Sequence, residues 1–154
     1  MRAARLAVFG GIPWQRCQFH LQQNAQAYVP RKDMLTEVAS DIRTIFDAPD
    51  RSTAETYLTK AVEKYSKSAS RLSEWLAANI PEGLTVFAFP AVFRKQLRTT
   101  NGLERLHREV RRRARVVSIF PNPASCLRLV SAILAEMSEE WLTGRTYINF
   151  EGAI

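Results

Sequence analysis

The sequence predicts a mostly helical α/β chain, and three observations predict it. Apolar residues recur every three or four positions over residues 32–46, 52–79, 101–115 and 122–142, the spacing of one buried helix face. Cap residues stand at the starts of three of these runs, at Ser52, Asn101 and Asn122, and Gly or Pro follows the runs 32–46, 52–79 and 122–142. Residues 13–19, PWQRCQF, read as a short strand, with Trp14, Arg16, Cys17 and Phe19 of mixed facing, and the apolar 116–120 could be strand, loop or the helix end. At 154 residues and 46% apolar, the chain is long enough to bury the core of one domain.

Residues 1–9 read as the second half of a helix (Ala3, Leu6, Ala7, Phe9) stopped by Gly10 and Gly11. A chain that opens mid-helix is expected to be a fragment. After the strand, residues 20–28 turn toward helix and Pro30 breaks it. The helix over 32–46 carries Leu35, Val38, Ile42, Ile45 and Phe46 on its apolar face. A turn with Pro49 follows, and Ser52-x-x-Glu55 has capping-box spacing. The next helical run, marked by Tyr57, Leu58, Ala61, Val62, Tyr65, Leu72, Trp75 and Leu76, is split by the polar interval 66–70. Together these helices form a hairpin. Residues 80–83 make a turn, and 84–93, apolar with Pro90 inside, read as a buried connector. Asn122-Pro123 supplies an N-cap and a first-turn proline. Cys126, Leu127, Val130, Ile133, Leu134, Met137 and Trp141 give that helix its apolar face, and Gly144 ends it. Residues 143–154 are a short, extended or loose tail.

Charge is concentrated in one place. Residues 94–115, RKQLRTTNGLERLHREVRRRAR, hold nine Arg or Lys against two Glu, a balance of +7 that equals the net charge of the whole chain. Such a stripe is an electrostatic footprint for a polyanion, most often nucleic acid. Asn101-x-x-Glu104 has capping-box spacing, and Leu103, Leu106, Val110, Ala114 and Val117 make an apolar seam. Glu104 lies beside the seam, with Arg108 and Arg111 on nearly the same face. It has two readings: a metal-holding carboxylate among phosphate-holding arginines, or a capping residue paired with Arg108.

Several chemistries find no pattern here. There is no Ser-His-Asp arrangement, no Gly-rich phosphate loop and no dinucleotide-binding glycine triplet. Cys17-x-x-His20 has metal-ligand spacing, but a four-ligand zinc site would consume every Cys and His in the chain. The other reading is a buried cysteine and a histidine in a polar contact. Glu136, Glu139 and Glu140 read as a solvated face. Trp14, Trp75 and Trp141 fit core positions and would stack on bases only if exposed. Two distant Cys fit a reducing cytoplasm, and no run is long enough to span a membrane.

Two segments carry a family resemblance. LRTTNGLERLHREVRRRARVVSIFPNPASCLRLVSAILAEMSEEW resembles the C-terminal part of bacterial transposases of the Mutator-like IS256 family. GIPWQRCQFHLQQNAQ resembles the segment that follows their second catalytic Asp. The combination TTNxxER, ExRRR, IFPN and EEW is the specific signal. The resemblance implies a ribonuclease-H-like core with an Asp-Asp-Glu triad and an α-helical insertion. By that pattern residues 1–29 are the end of the core (helix and last strand) and 30–93 the insertion. Residues 94–142 are the C-terminal core helices with the Glu-bearing basic helix, and 143–154 the tail.

The same pattern implies that Glu104 is the third catalytic acid and a metal ligand, and that His20 is an active-site neighbour. Cys17, His20 and Asn101 are motif residues. Arg105, Arg108, Arg111, Arg112, Arg113 and Arg115 hold DNA. The implied cofactor is Mg2+ or Mn2+ in the complete enzyme, with none held tightly by this chain alone. The implied partners are transposon-end and target DNA, with a homo-oligomer or an assembly with an intact transposase. The family's two Asp residues would lie before Met1, so a truncated chain, inactive alone, is expected. Two alternatives stay open: a non-catalytic basic helical nucleic-acid-binding module, and a partner or inhibitor of an intact transposase.

Overall fold

A computed structural model of the chain describes residues 2–144 and Ile148. Most of the tail expected over 143–154 therefore lies outside the described residues. The elements are α1 (Arg2–Phe9), α2 (Gln18–Ala25), α3 (Leu35–Phe46), α4 (Arg51–Tyr65), α5 (Ser70–Asn79), α6 (Ala91–Leu97), α7 (Asn101–Val117) and α8 (Pro123–Thr143), with short 3-10 turns between several of them. The chain divides into two compact units at Thr99/Thr100.

The first unit is built on α2 to α5. Their inward faces supply Leu21 and Ala25, then Val38, Ile42, Ile45 and Phe46, then Ala54, Leu58, Ala61 and Tyr65, then Leu72 and Leu76, all buried in one core with Ile80 and Leu84. The predicted interval 66–70 does split the second run, so α4 and α5 fold back on each other. Helices α3 and α4 are also joined by polar groups. The Tyr65 hydroxyl donates to Asp41 at 2.6 Å, and Lys64 Nζ donates to Asp41 at 2.7 Å and lies 2.8 Å from Glu37. Burial, and then the Asp41 carboxylate, push the Tyr65 phenol well above its ordinary range.

The strand expected over 13–19 is absent; the described residues contain no β-strand. Residues 13–17 form no regular element; a strand needs a neighbouring strand to complete its ladder, and the described residues offer none. Their polar groups are satisfied elsewhere. The Arg16 amide donates to the Glu82 carbonyl at 2.8 Å, and the Gln18 amide to the Arg98 carbonyl at 2.9 Å. The Gln15 side chain donates to the Gly83 carbonyl at 3.0 Å and accepts from the Val86 amide at 2.8 Å. Arg16 reaches Asn79 and Glu82 at 2.8 and 3.2 Å. Helix α2 then begins at Gln18, so Phe19 belongs to a helical turn.

Other local expectations also change. Asp50, not Ser52, caps α4; its carboxylate accepts from the Thr53 amide at 2.8 Å, one residue before the helix starts. The connector 84–93 buries Leu84 and Val86, but Pro90 opens the short helix α6 instead of ending a loop.

The second unit contains the helical hairpin of α7 and α8. Ser118 ends α7 with a φ of 64°, an uncommon value for a residue with a Cβ. Asn122 then caps α8 by accepting from the Ser125 amide at 2.8 Å, with Pro123 in the first turn as predicted. On α8 only Ile133 and Met137 are buried. Trp141, expected in the core, is 57% exposed, because the predicted face is wider than the contact with α7.

Candidate nucleic-acid interface

Helix α7 places the candidate site residues. Asn101 is its first helical residue, and Thr100 occupies the cap position, so the expected Asn101–Glu104 capping box does not form. Thr100 Oγ1 instead donates to Glu104 Oε1 at 3.1 Å, and the Glu104 amide donates to the Thr100 carbonyl at 2.9 Å. An anionic side chain in a first turn is favoured by the helix dipole. Glu104 is exposed.

From Glu104, Arg108, Arg111 and Arg115 follow at i+4, i+7 and i+11. At about 3.6 residues per turn these four share one side of the helix, spread over roughly 16 Å of its axis. Arg105 and Arg112 flank that line. Leu106, Val110 and Ala114 lie on the far side and are partly buried. One helix therefore has an apolar side and, opposite it, an exposed cationic stripe with a single carboxylate at its N-terminal end.

The six arginines are not equivalent. Arg112 Nη2 donates to Glu109 at 2.7 Å, and Arg113 Nε donates to the same Glu109 oxygen at 2.8 Å. Arg113 Nη1 also lies 2.9 Å from Glu136 on α8. Arg112 and Arg113 thus use their charge inside the hairpin, and Glu136, exposed as expected, is also a bridging acid. Arg105, Arg108, Arg111 and Arg115 are exposed and make no ion pair among the described residues, so Glu104 is not paired with Arg108.

The hydrogen bonds from Arg112 and then Arg113 hold the Glu109 carboxyl at about 2, below its ordinary 4.5. Because the folded value is depressed, Glu109 contributes to stability above its ordinary value. That contribution disappears as pH falls from there toward 2. A carbon-13 titration of the Glu109 carboxyl at low salt is expected to show a midpoint near 2. Replacing both arginines with alanine should return it toward 4.5. An ordinary midpoint in the unaltered chain would remove the fork.

Two of the other three basic residues of 94–115, Arg94 and Arg98, do a different job. Arg94 donates to the Phe89 and Pro49 carbonyls at 3.0 and 2.7 Å, with its guanidinium 5.1 Å from the Phe87 ring centre. Arg98 pairs with Asp47 at 2.8 Å. Both hold the α6 segment against the rest of the first unit. Summed charge could not separate these structural cations from the exposed ones; only contacts do.

The remaining motif residues lie in the first unit. Cys17 is buried just before α2. His20 is exposed on the first turn of α2, its ring 5.5 Å from that of Phe19 and edge-on to it. Trp75 stacks on Tyr28 at 5.4 Å, consistent with its core-facing assignment. No helix of the described residues is long and apolar enough to cross a membrane.

The family model described as "Transposase, Mutator family" matches residues 1–144. The chain belongs to the Mutator family of transposases. It is 59% identical over 150 residues to the transposase for insertion sequence element IS406 of Burkholderia multivorans, 97% of this chain and 39% of that protein. The IS1081 transposase of Mycobacterium tuberculosis is 36% identical over 149 residues, 97% of this chain and 36% of that protein. The transposase for IS256 in transposon Tn4001 of Staphylococcus aureus is 31% identical over 150 residues, 93% of this chain and 37% of that protein. This Mutator family chain thus spans less than two-fifths of the length of these relatives.

Divalent metal is the cofactor that the family pattern implies, and oxygen ligands suit Mg2+. On α7, Glu104 fits as one such ligand: it is exposed and stands on the cationic stripe. Glu109 and Glu136 do not, since arginines already neutralise them. The hairpin of this Mutator family chain therefore supplies one oxygen ligand, fewer than a two-metal centre requires.

Proposed function

We propose that this chain serves DNA transposition as the DNA-gripping, acid-bearing part of a DDE-type Mutator transposase with a ribonuclease-H-like core. The single observation that carries this reading is the α7 stripe, where exposed arginines without ion-pair partners run on from Glu104. Arg105, Arg108, Arg111 and Arg115 grip successive phosphates of the DNA backbone, which positions the duplex without reading its sequence. Arg112 and Arg113 add to the field and stiffen the hairpin. Glu104 contributes one carboxylate toward Mg2+. When bound, that metal would activate the attacking oxygen and stabilise the leaving one. His20, with Cys17 as its motif partner, positions a DNA phosphate at the first unit. Residues 1–29 and 94–142 belong to the catalytic core in this reading, and 30–93 to a helical insertion.

One carboxylate does not make a two-metal site. The chain by itself is therefore expected to bind duplex DNA with Mg2+ present and to leave it uncut. Cleavage should begin when the family's two aspartates are supplied on a second polypeptide. Glu104→Gln should then abolish cutting with DNA affinity retained. Cleavage by the chain alone that Glu104→Gln removes would overturn the inactive reading. A reconstituted enzyme indifferent to Glu104→Gln would overturn the assignment of the acid.

A second reading is a partner that assembles with an intact transposase. It draws on Leu127, Leu134 and Trp141, which recur every seven residues along α8 and are 65%, 43% and 57% exposed. Co-purification with a full-length Mutator transposase, lost on Leu134→Glu, would favour it.

A further inference from the structure

A cavity of about 190 Å³ opens in the first unit, lined by residues of α2, α3 and the end of α6. Its buried end holds Gln18 and Phe46, 4% and 7% exposed. Its open end holds Phe19, 56% exposed, and Arg43, which is exposed and makes no ion pair among the described residues. The Arg98–Asp47 pair closes one side.

Gln18 is the unusual member. Its Nε2 donates to the Gly83 carbonyl at 2.9 Å, which fixes the amide's orientation. Its Oε1 is then a buried acceptor with no partner. Buried polar atoms are nearly always satisfied, so this acceptor, closed to water beside the cavity, points to a donor that reaches it when the cavity wall gives way. The exposed Phe19 ring lies on the approach and can change rotamer within nanoseconds.

From this geometry we propose that the cavity receives one unstacked nucleotide of a DNA strand. The inference rests on the DNA reading above and adds a second point of contact to it. The ligand must offer an N–H on its edge to Gln18 Oε1, a flat apolar face to Phe19 and an anionic group to Arg43. Phosphate or carboxylate alone fails the first requirement, because its oxygens are acceptors. A nucleotide meets all three: base edges carry amino or imino N–H groups, base faces stack on aromatic rings, and a phosphate follows each sugar. Within a duplex those edges are paired and the faces stacked, so the base must be unpaired or turned out of the helix. Stacking and a single acceptor are tolerant of sequence, so any of the bases can enter.

The test compares two probes with equal numbers of phosphates: a mixed-sequence single strand of 12 nucleotides and the same backbone made wholly abasic. Fluorescence anisotropy with the full chain is expected to show about tenfold tighter binding of the base-bearing strand. Phe19→Ala, at an exposed position, and Gln18→Met should each bring the two affinities close to parity, with abasic binding unchanged. Gly83 keeps its bond from Gln15 in the Gln18 variant, so no carbonyl is stranded there. Parity in the unaltered chain, or a preference that survives either substitution, would overturn the nucleotide site. If parity is found while α7 arginine variants still weaken both probes, the DNA reading stands without this site. Binding of neither probe would remove both.

Discussion

Replacing Arg108, Arg111 and Arg115 together with alanine is expected to weaken duplex DNA binding by about two orders of magnitude near 0.1 M salt. Each lysine or arginine that neutralises a phosphate releases counterions and contributes about 0.9 to the slope of log K against log salt. Losing three should make that slope shallower by about 2.7, whatever the DNA sequence. These three share one exposed side of α7 and have no ion pair among the described residues, so their charge is available to a ligand. Arg112 and Arg113 are the internal control. Their guanidiniums already face Glu109 and Glu136, so alanine there should change the slope less and loosen the hairpin more. An anisotropy series across salt concentrations checks both statements. If the triple variant keeps the parent slope, the stripe on α7 is not the DNA contact.

Leu21→Ala is expected to destabilise the first unit by about 2 to 5 kcal/mol, the range for truncating a buried leucine. Leu21 is fully buried in the core that unites α2, α3 and α5. At about 2 to 4 °C per kcal/mol for a chain of this size, the thermal midpoint should fall by roughly 10 °C. The neighbouring glycine gives the result a second readout. A Cβ on Gly83 would lie 2.7 Å from Leu21 Cδ1 and 3.0 Å from Phe46 Cε1. Gly83→Ala alone should therefore cost about 1 to 3 kcal/mol through overpacking. With Leu21 truncated that crowding is relieved, so the double variant should cost less than the two separate losses together. Strict additivity in urea melts would mean that Gly83 and Leu21 do not share the contact. The pair also matters for the site. The Gly83 carbonyl is the acceptor for both Gln15 and Gln18, which hold the segment leading to Cys17 and His20.

Much of the helical framework was legible because each helix carries its own period and punctuation. The faces of α3, α4 and α5, the break near residue 66, and the Asn122-Pro123 start of α8 all follow from local spacing. The short pieces were less so. Residues 13–19 alternate too briefly to separate a strand from an irregular segment, and that choice turns on whether a neighbour completes the ladder. Helix α6 follows Pro90 in an apolar run with no clear period. The cap of α4 stands two residues before the expected Ser52, and at α7, where Thr99, Thr100 and Asn101 all suit the cap position, the fold selects Thr100.

Local order along the chain is enough for the mostly helical composition, the position of the charge and, through TTNxxER and its companions, membership of the Mutator family. Those properties belong to residues near one another in the chain, where spacing and motif order are already complete information. Tertiary structure alone decided which arginines are available: Arg94 and Arg98 are spent on the Pro49 carbonyl and Asp47, and Arg112 and Arg113 on Glu109 and Glu136. It also decided that Gln18 is buried with an acceptor unmatched. A guanidinium carries the same charge wherever it stands, and whether that charge is offered or consumed depends on partners as many as 51 residues away, which only folding brings within reach.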